Sequence, residues 1–224
     1  MLALKQALSL VSSKSLGGSW SPYDETSLEA WYQNAVGIDL NGSDVSEWED
    51  SSTNGYNMVQ ATATEQPAYS AGVLTFVSAD TNNLQTTGQI SLTGDFTIGI
   101  KCFPTEFNNV IIADNTTTNE FFKFTTTSQF RVKIDGTTQN ITLDSGIFGN
   151  DYLVITRASN VLTLHQNGTA QSSTPTLAGT ADIDAIGVRT PDTNPYAGTI
   201  KEIQIYSSSS AGLTANINDR LSTL

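Results

Sequence analysis

One cysteine, one histidine and ten basic residues are all that this chain of 224 provides of those types. The lone Cys102 excludes an internal disulfide and any zinc site built on cysteines. The lone His165 excludes a histidine-rich metal centre and argues against a hydrolytic triad. Charged residues make up 14% of the chain, against roughly a quarter in typical soluble proteins. Its surface must therefore be mostly uncharged and polar, and stretches such as "ADNTTTNEFF" and "TPDTNP" show Ser, Thr and Asn filling it. The acids outnumber the bases enough to give a net charge of −12 and a pI of about 4.2. Phosphate would be repelled, so neither nucleic acid nor an anionic membrane surface is an expected partner. No apolar run reaches membrane-spanning length, and no membrane insertion is expected.

Period-two alternation dominates from Leu28 onward. "DFTIGIKCF" puts Phe96, Ile98, Ile100 and Cys102 on one face and Thr97, Gly99 and Lys101 on the other. Cys102 then reads as a buried structural thiol. "QFRVKID", "NITLD", "YLVIT" and "VLTLHQ" repeat the pattern with β-branched and aromatic residues. Asp135-Gly136, Ser159-Asn160 and Asn167-Gly168 fall between them, and the two glycine dipeptides suit the positive φ angles of tight hairpins. Many short strands at this spacing predict a sandwich or barrel rather than a parallel α/β sheet.

Three segments depart from simple alternation. In "AGTIKEIQIY", Ile200 lies out of phase with Ile203 and Ile205, and a bulge near Lys201-Glu202 would bring all three inward. Leu213, Ile217 and Leu221 recur every four residues, predicting a C-terminal helix packed on the sandwich, with Thr214 as its cap. At the other end Leu4, Leu8 and Val11 share a helical face, while Lys5 and Gln6 break the apolar stretch and no small-x-small cleavage site follows. Residues 1–19 read as a partner-binding arm (Leu4, Leu8, Val11 and Leu16, with Trp20 following) whose portion "SKSLGGS" is a flexible linker. Residues 20–224 form the expected domain.

The order of the segments "SLEAWYQ", "DVSEWEDSSTNGYNMVQ", "QPAYSAGVLTFVSADTNNL", "DFTIGIKCF", "YLVITRASNVLTLHQNGT", "DIDAIGVR" and "YAGTIKEIQIYSSSSAGLTANINDRL" resembles the plan of laminin-G-like, concanavalin A-like jelly rolls. The resemblance covers roughly residues 20–224. It implies an all-β sandwich of two antiparallel sheets, one of them concave, with a short C-terminal helix and here an N-terminal arm. The "W-x-D-x-S-x-N-G" stretch near the N-terminus is similar to that of domains in bacterial surface proteins and bacteriophage virion proteins. With the arm, this implies a non-enzymatic decoration or fibre protein on a virion surface. The expected partners are major capsid or other virion proteins in a symmetric assembly. Because one fold hosts many activities, the alternative is a lectin-like adhesin at an extracellular or bacterial cell surface, binding host or environmental glycans.

Three constellations bear on these readings. In "VSEWED", Glu47 and Glu49 lie two strand residues apart, roughly 7 Å, a spacing that could serve glycoside hydrolysis. Glucan-cleaving members of the fold carry a strand resembling Glu-x-Asp-x-x-Glu, which this chain lacks. The expectation is a strand with Trp48 inward, its glutamates in water, and no catalytic residue. Calcium favours oxygen-rich loops. "SADTNN" offers Asp80, Asn82 and Asn83, and "DSSTNG" offers Asp50 and Asn54, although Asx-rich turns also satisfy their own backbone. For glycan stacking, Tyr56, Tyr69, Tyr196 and Phe148 lie beside turns and are the available platforms, whereas Trp31 and Trp48 sit near apolar runs. His165 alternates with Leu162 and Leu164 and is expected to face solvent.

Overall fold

The computed structural model describes residues 20–224 except 117–119, 148, 150 and 190. Leu4, Leu8, Val11, Leu16 and Phe148 lie outside the described residues. In chain order the strands are β1 (Leu28–Tyr32), β2 (Ile38–Asn41), β3 (Asp44–Trp48), β4 (Met58–Val59), β5 (Ala68–Ser70), β6 (Val73–Phe76) and β7 (Leu84–Leu92). There follow β8 (Phe96–Pro104), β9 (Val110–Ala113), β10 (Phe121–Thr126), β11 (Gln129–Ile134) and β12 (Thr137–Thr142). The last are β13 (Tyr152–Ala158), β14 (Val161–Gln166), β15 (Thr169–Ala170), β16 (Ala181–Ile186) and β17 (Gly198–Tyr206), before helix α1 (Ala211–Ser222).

All pairings are antiparallel. One layer runs β1-β17-β8-β13-β14-β15. The other runs β4-β7-β16-β9-β10-β11-β12. Strands β6, β5 and β3 carry hydrogen bonding from β17 round to β4, joining the layers along one side. Between the layers lies one apolar core in which Ile98, Ile100, Ile203 and Ile205 meet Ile112, Phe122, Phe130 and Ile183. Phe96 and Phe122 pack edge to face across it at 6.2 Å. The chain is thus a nearly all-β antiparallel sandwich with one short C-terminal helix. The hairpins at Asp135-Gly136, Ser159-Asn160 and Asn167-Gly168 all hold positive φ at both turn residues, so the turns follow the twist of their strands even where glycine is absent.

Two bulges reset the alternation. Ile200 pairs with Cys102 and Glu202 with Lys101, leaving Lys201 as an extra residue. Ile200, Ile203 and Ile205 consequently all enter the core, while Glu202, Gln204 and Tyr206 turn to the opposite face. A second extra residue, Ser46, lies where Leu40 pairs with Val45 and Asp39 with Glu47. It lets Val45 and Trp48, three residues apart, both reach the core.

The face of the first layer directed away from the core is covered by α1. Leu213, Ile217 and Leu221 pack there with Val154 and Tyr206, and Trp20 joins them while its Nε1 donates to Glu25. Trp20 is therefore packed on the domain. Ser210, not Thr214, caps the helix. Its Oγ accepts the Leu213 N–H at 3.1 Å, and the Thr214 hydroxyl instead donates to the Ser210 carbonyl at 2.9 Å. The helix begins earlier than Thr214, at Ala211, because serine offers an equally good cap there.

Glu202 is wholly buried, and five donors meet its carboxylate. Oε1 accepts Trp31 Nε1 (3.1 Å), Gln204 Nε2 (2.7 Å) and Arg220 Nε. Oε2 accepts the Asn34 N–H (3.1 Å) and Arg220 Nη2 (2.9 Å). The Arg220 guanidinium also lies 4.7 Å from the Trp31 ring centroid. One side chain thereby ties β1, β17 and α1 together.

Arg220→Met strands this buried charge and is expected to destabilise the fold by about 3–5 kcal/mol. A denaturant midpoint corresponding to a loss below about 1 kcal/mol would contradict this account. Gly99 lies where a methyl group would overlap Ile217 of α1. Gly99→Ala should cost about 1–3 kcal/mol through overpacking, seen as a lower midpoint with an unchanged denaturant slope. An unchanged midpoint would mean that α1 does not sit against β8.

Candidate functional site

Alternation also places a groove beside the helix. Along β13 and β14, Leu153, Ile155, Leu162 and Leu164 point into the core. Thr156, Ala158, Thr163 and His165 point the other way and form a floor, with Thr156 directly opposite Thr163. The wall is α1, presenting Ala211, Thr214, Ala215 and Asn218, and its cap Ser210. The groove is open to solvent along its length and holds about 420 Å³. None of its lining residues is Asp, Glu, Lys or Arg.

Several of its polar groups are already engaged. The Thr214 and Ser210 side chains serve the start of the helix. Asn218 differs: it is 7% exposed, and its Oδ1 has no hydrogen-bond partner among the described residues. A buried acceptor left unmade costs about 1–3 kcal/mol. His165 is half-buried on the groove floor, and burial lowers its pKa below the ordinary 6.5. The ring is therefore neutral at pH 7 and can both donate and accept.

The residues singled out from sequence are not brought together. Tyr196 is wholly buried and stacks edge to face on Phe76 at 5.7 Å, so it is a core residue and no platform. Its neighbour Cys102 is buried too, its thiol pushed up to about 12 by burial. Tyr56 and Tyr69 are half-buried against the core, the Tyr56 ring lying over Gly88 of β7. Trp31 and Trp48 are buried. Glu47 accepts a hydrogen bond from Asn57 Nδ2 at 2.6 Å, and Glu49 lies beyond the end of β3 against Gly37.

Several side-chain oxygens of the proposed calcium loops are engaged within the protein. Asp50 is buried, and its carboxylate accepts the N–H groups of Trp31, Ser52 and Tyr56 and the Ser52 hydroxyl. It organises its turn from inside. Asn54 Nδ2 donates to the Leu28 and Glu29 carbonyls. Asn82 bridges the Val77 N–H and the Gln66 carbonyl, and Asn83 Oδ1 accepts from Gln60 and Gln85. Asp80 alone is exposed. To meet a calcium ion, Asp50, Asn82 and Asn83 would have to give up these donors. Among the described residues no three His, Cys, Asp or Glu side chains gather into a metal site, and no helix is long and apolar enough to cross a membrane.

Asn218 was missed in the sequence, and a signal for it existed. Thr214 and Asn218 stand four residues apart beside the stripe Leu213, Ile217 and Leu221. A polar row next to an apolar one marks the border of a helix's buried face. His165 does point away from the core as expected, but that direction leads into the groove.

No protein-family model matches the chain, and no curated protein sequence is similar to it. Solved structures share its fold. Trypanosoma rangeli sialidase in complex with sialic acid is similar over 88% of this chain and 33% of its own, at 12% identity and a TM-score of 0.57. The chain thus spans about a third of that enzyme's length. Domain 4 of AbnA, a GH43 extracellular arabinanase from Geobacillus stearothermophilus, in complex with arabinotriose, is similar over 86% of this chain and 97% of its own, at 13% identity and a TM-score of 0.51. The CBM40 of Ruminococcus gnavus IT-sialidase, bound to α2,3-sialyllactose, covers 55% of this chain and 82% of its own at 17% identity, with a TM-score of 0.42 too low to build on. At these identities the likeness shows a shared β-sandwich fold.

The chain has a single histidine, so its proton NMR titration is unambiguous. The folded chain holds His165 neutral where the unfolded chain has begun to protonate it. Stability should therefore fall as pH drops from about 6.5 through the lowered folded value. The imidazole midpoint is expected below 6.5. A midpoint at or above 6.5 would place the ring in open water and not on a groove floor.

Proposed function

We propose that this protein is a non-catalytic glycan-binding β-sandwich domain. The observation that carries the reading is the likeness to domain 4 of the arabinanase, a structure in complex with arabinotriose that is matched along 97% of its length. Only a third of the sialidase is matched, so that enzyme's activity gives no comparable support. A surface rich in uncharged hydroxyls and amides also suits sugars, which are recognised through directed hydrogen bonds with little net charge. On this reading the protein works outside a cell, where glycans are displayed. The virion reading rests on the W-x-D-x-S-x-N-G resemblance and on an arm whose Leu4, Leu8, Val11 and Leu16 lie outside the described residues.

A glycan array probed with and without chelator tests the proposal. Saturable binding to a subset of glycans, with no release of sugar from them, is expected. Silence across the array would remove the reading. Loss of binding with chelator would return attention to Asp80 and its neighbouring amides.

A further inference from the structure

We propose that the groove between α1 and the β13–β14 hairpin is the ligand site, and that it takes a neutral sugar unit hydrogen-bonded by Thr163, His165 and the Asn218 amide. The proposal rests on the glycan-binding reading and specifies both the place and the chemical class.

Asn218 stands on the helix wall of the groove. It is more than nine-tenths buried, lines the groove, and its carbonyl oxygen has no donor among the described residues. Side-chain amides carry two acceptor lone pairs. That oxygen is closed to solvent, so a ligand in the groove meets the remainder of the amide, whose N–H groups donate. Sugar hydroxyls accept such bonds as well as donate them.

The rest of the lining narrows the class. Thr156 and Thr163 face each other on the floor, and the neutral His165 ring lies one register step away on β14. These groups offer donors and acceptors without charge. Ala158 and Ala215 supply small apolar patches for the C–H face of a ring. No aromatic platform lines the groove, so affinity must come from hydrogen bonding and fit. The volume of about 420 Å³ lies within the range of roughly 300–1,000 Å³ typical of small-ligand sites.

Charge decides against an acidic sugar. A carboxylate calls for a cationic partner, and no Lys or Arg lines the groove. The cations that do gather sit on the other layer, around the ring of Phe121. Lys123 Nζ lies 4.8 Å, Lys133 Nζ 6.0 Å and Arg189 Cζ 5.5 Å from its centroid.

The test uses the full chain, with arabinotriose and the other neutral glycans of the array as probes and sialyllactose as the acidic counterpart. Amide shifts on titration should concentrate at Thr156, Thr163, His165 and Asn218. Asn218→Leu should weaken binding about tenfold or more while leaving thermal stability equal or higher, because it removes a buried polar group that has no partner. A merely structural asparagine would not give that combination. Thr163→Val, on the floor and away from the helix, should also weaken binding. Neutral glycans that bind with full affinity to both variants, or with shifts confined elsewhere, would overturn the groove and leave the glycan-binding reading intact. Preference for sialyllactose would overturn the neutral class. Absence of binding to any glycan would overturn both proposals.

Discussion

A single buried carboxylate decides where the helix lies. Glu202 has no access to water and draws its donors from β1, the segment after it, β17 and α1. A charge in that position is tolerable only because every lone pair is met and a guanidinium lies beside it. The chain is poor in cations, yet it commits Arg220 to this contact. The helix is thereby held against β13 and β8, and its unfilled side becomes one wall of the groove.

Glu202 can occupy that place only because β17 carries an extra residue. Without the bulge at Lys201, strict alternation would aim Glu202 with Ile200 into the apolar core. With it, the isoleucines stay inside and Glu202, Gln204 and Tyr206 form a polar row beneath the helix, the Tyr206 hydroxyl donating to Gln204. The bulge at Ser46 does the same for β3, where Trp48 and Val45 share the core. Both devices use one unpaired residue to let a single strand serve two environments.

Much of this was legible from alternation alone. The core face of β8, the hairpins of β13–β14 and β14–β15, the Lys201-Glu202 bulge and the C-terminal helix all follow from local pattern, which is what strand and helix periodicity encode. Burial on the second face of β8 was not legible, because Thr97, Gly99 and Lys101 look like solvent residues until α1 is laid across them. Tyr196 misled for a related reason: it stands beside turn residues, but a distant partner, Phe76, draws it inside. Asp50 and the Asx loops have the composition of a cation site, yet Asp50, Asn82 and Asn83 turn their side-chain oxygens to donors within the protein. The groove joins side chains about fifty residues apart in sequence, Thr163 and Asn218 among them, and no local window contains it.

The groove floor and the core are made by the same two strands at alternate positions. Leu153, Ile155, Leu162 and Leu164 hold the layers together, while Thr156, Thr163 and His165 face the groove. Recognition and scaffolding are thus separated by parity. Floor residues can change one at a time under selection, or be randomised in a display library, without disturbing the packing beneath, and so the same sandwich can acquire new specificities while keeping its frame.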